Sequence, residues 1–106
     1  MPFYDIAVLE EREIVPGYRA RFLHTDNVTI AYWTIEQGAA LPVHAHLHEQ
    51  TTTVLEGKFE LTIDGETGVL EAGRMAVIPS NAPHTARALT PCKLIEVFYP
   101  IREDYR

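Results

Sequence analysis

Four of the five histidines in this 106-residue chain fall in two short runs. Pro42-Val43-His44-Ala45-His46-Leu47-His48-Glu49-Gln50 holds three of them, and Pro83-His84 holds the fourth. Imidazole is a ready ligand for divalent transition metals. A pair at i and i+2 on an extended segment projects both rings from one face toward one ion, as His44 and His46 would. Gln50 and His84 can complete the set, which makes the chain a candidate metal protein.

Such donors need strands and turns to hold them, and the rest of the chain has that rhythm. Arg19 to Leu23 and Val28 to Ile35 are β-branched and aromatic, with Thr25-Asp26-Asn27 as the turn between them. Gly38 to Pro42 interrupts the pattern, and Thr51 to Leu55 resumes it after the histidines. Phe59, Leu61 and Ile63 alternate with Lys58, Glu60, Thr62 and Asp64, which predicts a strand with one wet face. Asp64-Gly65 favours a tight hairpin, and Val69-Leu70 lies on its return. Met75 to Ile78 is a further strand, Pro79 to Pro83 a rigid loop, and strands from His84 to Leu89 and Lys93 to Tyr99 close the pattern. The acidic run within Val8 to Ile14 is expected to be a solvated edge, or at most a short helical turn. No amphipathic helix, linker, low-complexity segment or internal repeat is visible. The expected fold is an all-β sandwich or small barrel in a single domain over residues 1–106.

Composition narrows the function. A chain of this length buries only about two-thirds of the surface its unfolded form exposes, which predicts stability shared with a partner subunit. The formal net charge of −6, with nine scattered Lys and Arg, argues against nucleic acid as a partner. No window supplies the eighteen or so apolar residues of a membrane helix. The first twenty residues lack the basic start and apolar run of a signal peptide, so a cytoplasmic location is expected. The single cysteine, Cys92, rules out an intramolecular disulfide and is expected to be a small, buried or half-exposed residue.

The spacing carries a resemblance. Gly38 is followed by His44, His46, Gln50 and Gly57, and Gly73 by Pro79 and His84, a pair of patterns that resembles the two motifs of the cupin superfamily across residues 38–88. The resemblance implies a small cupin, a jelly-roll or double-stranded β-helix barrel, holding one divalent metal. Glu is usual where Gln50 stands. Glu49 is next door, but alternation sends it to the opposite face, so Gln50 is the preferred ligand. Asn81 and Ala88 also depart from the usual Gly and Asn, at positions that are not metal ligands. Three neutral imidazoles and a neutral amide would leave the full double charge on the ion and favour anionic, oxygen-rich ligands. Such a donor set suits Ni, Fe, Zn, Mn or Co without choosing among them. His48 is either a further ligand or a surface or supporting residue, and His24, isolated beside a turn, is expected to be exposed.

If His84 faces inward, so do Ala86 and Ala88, leaving room beside the ion. Glu96 shares a face with Leu94 and Phe98, and the pattern leaves open whether that face is the interior or the solvent side.

A narrower resemblance follows from His44 to Gln50, Ile78 to His84 and the ending Glu96-Val97-Phe98-Tyr99-Pro100-Ile101-Arg102-Glu103-Asp104-Tyr105. These resemble the pectin-degradation cupins of the KdgF type. That resemblance implies a metal held by His44, His46, Gln50 and His84, and the ring opening of 4,5-unsaturated monouronates from pectin or alginate to 4-deoxy-5-ketouronates. Glu96 and Phe98 fall on the catalytic acid and aromatic positions, with Glu where Asp is common. Arg102 would either bind the substrate carboxylate or tie down the C-terminal segment. A homodimer is implied by resemblance alone. The rival expectations are a non-haem metal dioxygenase and a non-catalytic sugar-acid-binding module.

Overall fold

A computed structural model describes residues 2–106. Ten strands run in order: β1 (Glu11–Val15), β2 (Tyr18–His24), β3 (Thr29–Ile35), β4 (Ala40–His44), β5 (Glu49–Glu56), β6 (Phe59–Ile63), β7 (Glu66–Leu70), β8 (Met75–Ile78), β9 (His84–Ala88) and β10 (Cys92–Tyr99). Single 3₁₀ turns cover Ile6–Val8 and Glu103–Tyr105. The strands form two antiparallel sheets, a six-stranded one ordered β1-β2-β3-β10-β5-β8 and a four-stranded one ordered β4-β9-β6-β7. The fold is all-β, as the rhythm of strands and turns predicted.

Alternation sends one face of each sheet into a common core. On β3, Thr29, Ala31, Trp33 and Ile35 are buried while their neighbours are half-buried. On β10 the buried set is Cys92, Leu94, Glu96 and Phe98. The apolar members of both sets meet Tyr18, Val54, Phe59, Leu61 and Ile78 in one hydrophobic cluster. Burying side chains of this size stabilises the fold by about 1.5–3 kcal/mol each.

Turn chemistry matches the expectation at the β6–β7 hairpin, where Ile63 pairs with Glu66 and Asp64 and Gly65 both take positive φ. Gly57 is required more strictly. Its φ is 92°, and a Cβ there would overlap the Pro91 carbonyl and lie 2.9 Å from Cys92 Sγ. Asn81 stands where a glycine is usual because it too holds positive φ, 65°, a conformation Asn tolerates better than most residues.

Two strands depart from the sequence expectation. Glu11–Val15, anticipated as a solvated edge or helical turn, is β1, the outermost strand of the larger sheet. Its charges face Arg19 and Arg21 on β2, the charged dressing by which edge strands resist further pairing. Ala40–His44, whose first half was anticipated as an interruption, is β4. Among the described residues it pairs only with β9, and Pro42, which lacks an N–H, is tolerated on such an edge.

Candidate metal centre

Strand register builds the site. His44 closes β4 and His84 opens β9, and the two are cross-strand partners with ring centroids 4.1 Å apart. His46 lies past the end of β4, not within it, and its ring centroid is 4.9 Å from that of His84. The ligand-capable atoms of His44, His46 and His84 all lie within 4.8 Å of one another, so these three residues could hold a metal ion.

Each ring is fixed by the same device. His44, His46 and His84 donate Nδ1–H to the carbonyls of Pro42, His48 and Ala82 at 2.8, 2.9 and 2.9 Å. Donation from Nδ1 selects the tautomer in which Nε2 carries the free lone pair, the usual preparation of a histidine ligand. Burial lowers the pKa of His46, with Arg102 and His84 adding to the effect, and burial likewise lowers that of His84. Neutral imidazole, the ligating form, is favoured in both.

Gln50 is buried on β5 and Glu49 is exposed, as alternation required. The Gln50 amide is oriented by its neighbours, since Nε2 donates to Glu96 Oε2 at 2.6 Å and to Thr52 Oγ1 at 3.1 Å. Oε1 therefore turns toward the histidines and lies 3.1 Å from His46 Nε2. Two acceptors at that separation repel unless a positive group sits against both. A divalent cation satisfies them, and the donor set fits such an ion: three imidazole nitrogens and one amide oxygen.

Glu96 faces the interior, which settles the alternative left open by its pattern. It sits opposite Thr52 in the β5–β10 register, and the Thr52 hydroxyl donates to its Oε2 at 2.6 Å. Burial pushes its carboxyl pKa up, against the opposing effect of the bonds from Thr52 and Gln50. Phe98, opposite Gln50, is buried with its ring centroid 5.9 Å from that of His46.

Arg102 takes the structural one of the two roles considered for it. Its Nε and Nη2 donate to the two Asp104 carboxylate oxygens at 3.0 and 2.8 Å, and its guanidinium carbon lies 4.9 Å from the Phe98 centroid and 4.2 Å from that of Tyr105. It thus fastens the C-terminal turn. It also lines the cavity that contains His44, His46, Gln50, His84 and Glu96, a space of about 430 Å³ including its mouth.

His48 stands beside the site in a supporting position, its Nε2 3.1 Å from the Ile101 carbonyl. His24 is half-buried rather than exposed, because its Nδ1 bonds Thr29 Oγ1 at 2.8 Å and its ring stacks on Phe22. Cys92 is buried as expected. The sequence reading gave no site role to Thr52, Tyr18 and Trp33, and took Asp104 and Tyr105 only as part of the C-terminal ending. Thr52 could have been found by extending the inward alternation two residues beyond Gln50, and Asp104 by the fork that an arginine two residues earlier makes available.

The Cupin domain family matches residues 31–98, and the chain belongs to that family. Within it the chain is a small, KdgF-like cupin. It is 30% identical over 83 residues to the pectin degradation protein KdgF of Dickeya dadantii (strain 3937), covering 76% of this chain and 76% of that protein. The structure of KdgF from Halomonas sp. superimposes with a TM-score of 0.93 at 28% identity, covering 100% of this chain and 99% of that one. A 53-residue stretch is 47% identical to quercetin 2,3-dioxygenase of Bacillus subtilis (strain 168), covering 48% of this chain but only 15% of that enzyme's length. Among the described residues no helix is long and apolar enough to cross a membrane.

Proposed function

We propose that this cupin is a metal-dependent enzyme that opens the ring of 4,5-unsaturated monouronates to give 4-deoxy-5-ketouronates. The observation that carries the reading is the buried Glu96 carboxyl in one cavity with three convergent imidazoles and the Gln50 amide. The likeness to KdgF proteins supports the pectin-derived substrate class.

The reaction is an isomerisation, so the protein needs to move a proton and stabilise charge without a second substrate. Glu96 takes the proton from the anomeric hydroxyl as the C1 carbonyl forms and the bond from C1 to the ring oxygen breaks. The same carboxyl returns a proton to C4 as the C5 ketone forms, which balances the overall change. Its raised pKa suits a group that must both accept and donate. Phe98 and Arg102 wall the cavity, and the guanidinium adds positive charge where an anionic sugar acid would enter. A divalent cation held by His44, His46, Gln50 and His84 would supply a charge that no ligand cancels, attracting the carboxylate and the oxygen on which negative charge develops.

The test is loss of the conjugated uronate's ultraviolet absorbance. Metal-loaded protein should abolish it far faster than buffer, and an uncatalysed rate at full metal content rejects the proposal.

A second reading, metal-dependent dioxygenase, is favoured by the 53-residue match to quercetin 2,3-dioxygenase. Oxygen uptake with a flavonol, diketone or thiol substrate distinguishes it. Binding of uronates without turnover would instead indicate a sugar-acid-binding module. The homodimer belongs to the same proposal, with half-buried apolar cross-strand rows on the outer face of the larger sheet, Ile30 beside Val97 and Tyr32 beside Ile95, partly lined by Tyr4, Ile6 and Leu9 of the same chain. Sedimentation at a single-chain mass would remove it.

A further inference from the structure

Tyr18 and Trp33 contribute a feature that the metal and proton-transfer roles leave unused. Both are buried, at 2% and 4% exposure, and both line the cavity beneath the candidate metal ligands. Their rings meet edge to face with centroids 5.9 Å apart. Tyr18 Oη and Trp33 Nε1 are nevertheless buried without a hydrogen-bond partner among the described residues. Leaving two such donors unsatisfied costs about 1–3 kcal/mol each, so a partner is expected from outside the chain.

Glu96 marks where that partner sits. Trp33 pairs with Leu94 on β10, one pleat from Glu96 on the same inward face. The indole and the Glu96 carboxyl line the same cavity, and Trp33 Nε1 makes no hydrogen bond to a described residue. Tyr18 lines that cavity with them. Only Oε2 of Glu96 is engaged by Gln50 and Thr52, which leaves Oε1 free to accept. Indole N–H can only donate, so the missing partner accepts from Trp33. A hydroxyl oxygen can do that while donating its own hydrogen to Glu96.

We propose that Tyr18, Trp33 and Glu96 form a subsite for one hydroxyl oxygen, filled by a buried water in the free protein and by a sugar hydroxyl in the complex. In its sugar arm the proposal rests on the uronate reading, and in its water arm it does not. Tyr18 and Trp33 are positioning residues in this arrangement. They fix the oxygen that faces Glu96, and with it which hydroxyl of a sugar ring the pocket accepts.

Trp33 is the sole tryptophan in the chain, so its indole N–H gives a unique resonance in a proton–nitrogen spectrum of the whole, metal-loaded protein. A cross-peak from that proton to a long-lived water is expected in the free protein. Galacturonate, an unreactive uronate, should remove the cross-peak and move the indole resonance. Tyr18→Phe, which deletes one donor at nearly constant shape, should weaken galacturonate binding about five- to tenfold. A galacturonate complex with an unmoved indole resonance, together with no water cross-peak in the free protein, overturns the subsite. Failure of galacturonate to bind while the water cross-peak persists overturns the sugar arm and leaves the water subsite standing, and the uronate reading is then judged by the absorbance assay alone. Absence of both sinks the subsite whatever the enzyme's substrate.

Discussion

Gln50 Nε2 donates to Glu96 Oε2 at 2.6 Å, and that bond aims the amide oxygen of Gln50 at His46. The residue proposed to move protons is therefore also the one that orients a candidate ligand. Replacing Glu96 by Gln keeps the volume but removes the basic carboxylate. E96Q should fold and retain metal while losing about 10²–10⁴-fold in kcat, the usual range for a general acid–base group. Wild-type turnover by E96Q at full metal content would remove Glu96 from the chemistry.

Thr52 positions Gln50 and Glu96 together. Its hydroxyl bonds both Gln50 and Glu96 and has no path to substrate except through them. Thr52→Val preserves the shape, and metal affinity measured by competition with a chelator should fall about 10–100-fold, as for other residues that orient ligands. Unchanged affinity would mean that Gln50 is held by other means or does not ligate.

Gln50→Glu addresses the charge on the ion. An anionic ligand should bind the cation more tightly and cancel half of its charge, so metal retention should rise while affinity for a uronate falls. Parallel chelator competition and galacturonate titration check both directions. A variant that binds the sugar acid more tightly would contradict the charge argument.

The Arg102–Asp104 fork gives a pH dependence of known sign. Bonds from Arg102 lower the Asp104 pKa below its ordinary 3.8. Its contribution is therefore complete above about pH 4 and disappears as pH falls through the lower folded value. Because the Asp104 side chain is 57% exposed, that contribution is about 0.5 kcal/mol, the scale of other exposed pairs. Asp104→Asn should reproduce the loss at neutral pH in denaturant melts and flatten the acid limb. An acid limb unchanged in D104N would assign it to other carboxylates.

Gly57 supplies a test of the fold rather than of the site. Gly57→Ala places a Cβ against Pro91 and Cys92 at a φ of 92°, so destabilisation of about 3 kcal/mol or more is expected in urea melts.

How much was legible in the sequence depended on whether one local pattern determined the outcome. The β6–β7 hairpin was plain because period-two alternation and Asp64-Gly65 pointed to the same turn. His44, His46, Gln50 and His84 were legible as candidates because the spacing of two motifs grouped them, although His46 lies past the end of β4 and not on an extended strand with His44. β1 and β4 were missed because an edge strand carries charge, or a proline, for reasons set by its missing neighbour rather than by its own propensity. The orientation of Glu96 was undecidable locally, with apolar residues on both faces of β10. It follows from the cross-strand register, which sets Glu96 against Thr52. Asp104 escaped because its partner is a turn residue whose direction depends on packing against Phe98 and Tyr105.

The central claim, that His44, His46, Gln50 and His84 converge on one divalent cation, is tested most directly by elemental analysis of the purified protein beside a His44→Ala/His46→Ala variant. One equivalent of a divalent transition metal per chain is expected in the native protein, falling to background in the folded double variant. Equal metal content in the two, or none in a native protein offered each of Ni, Fe, Zn, Mn and Co, would contradict it.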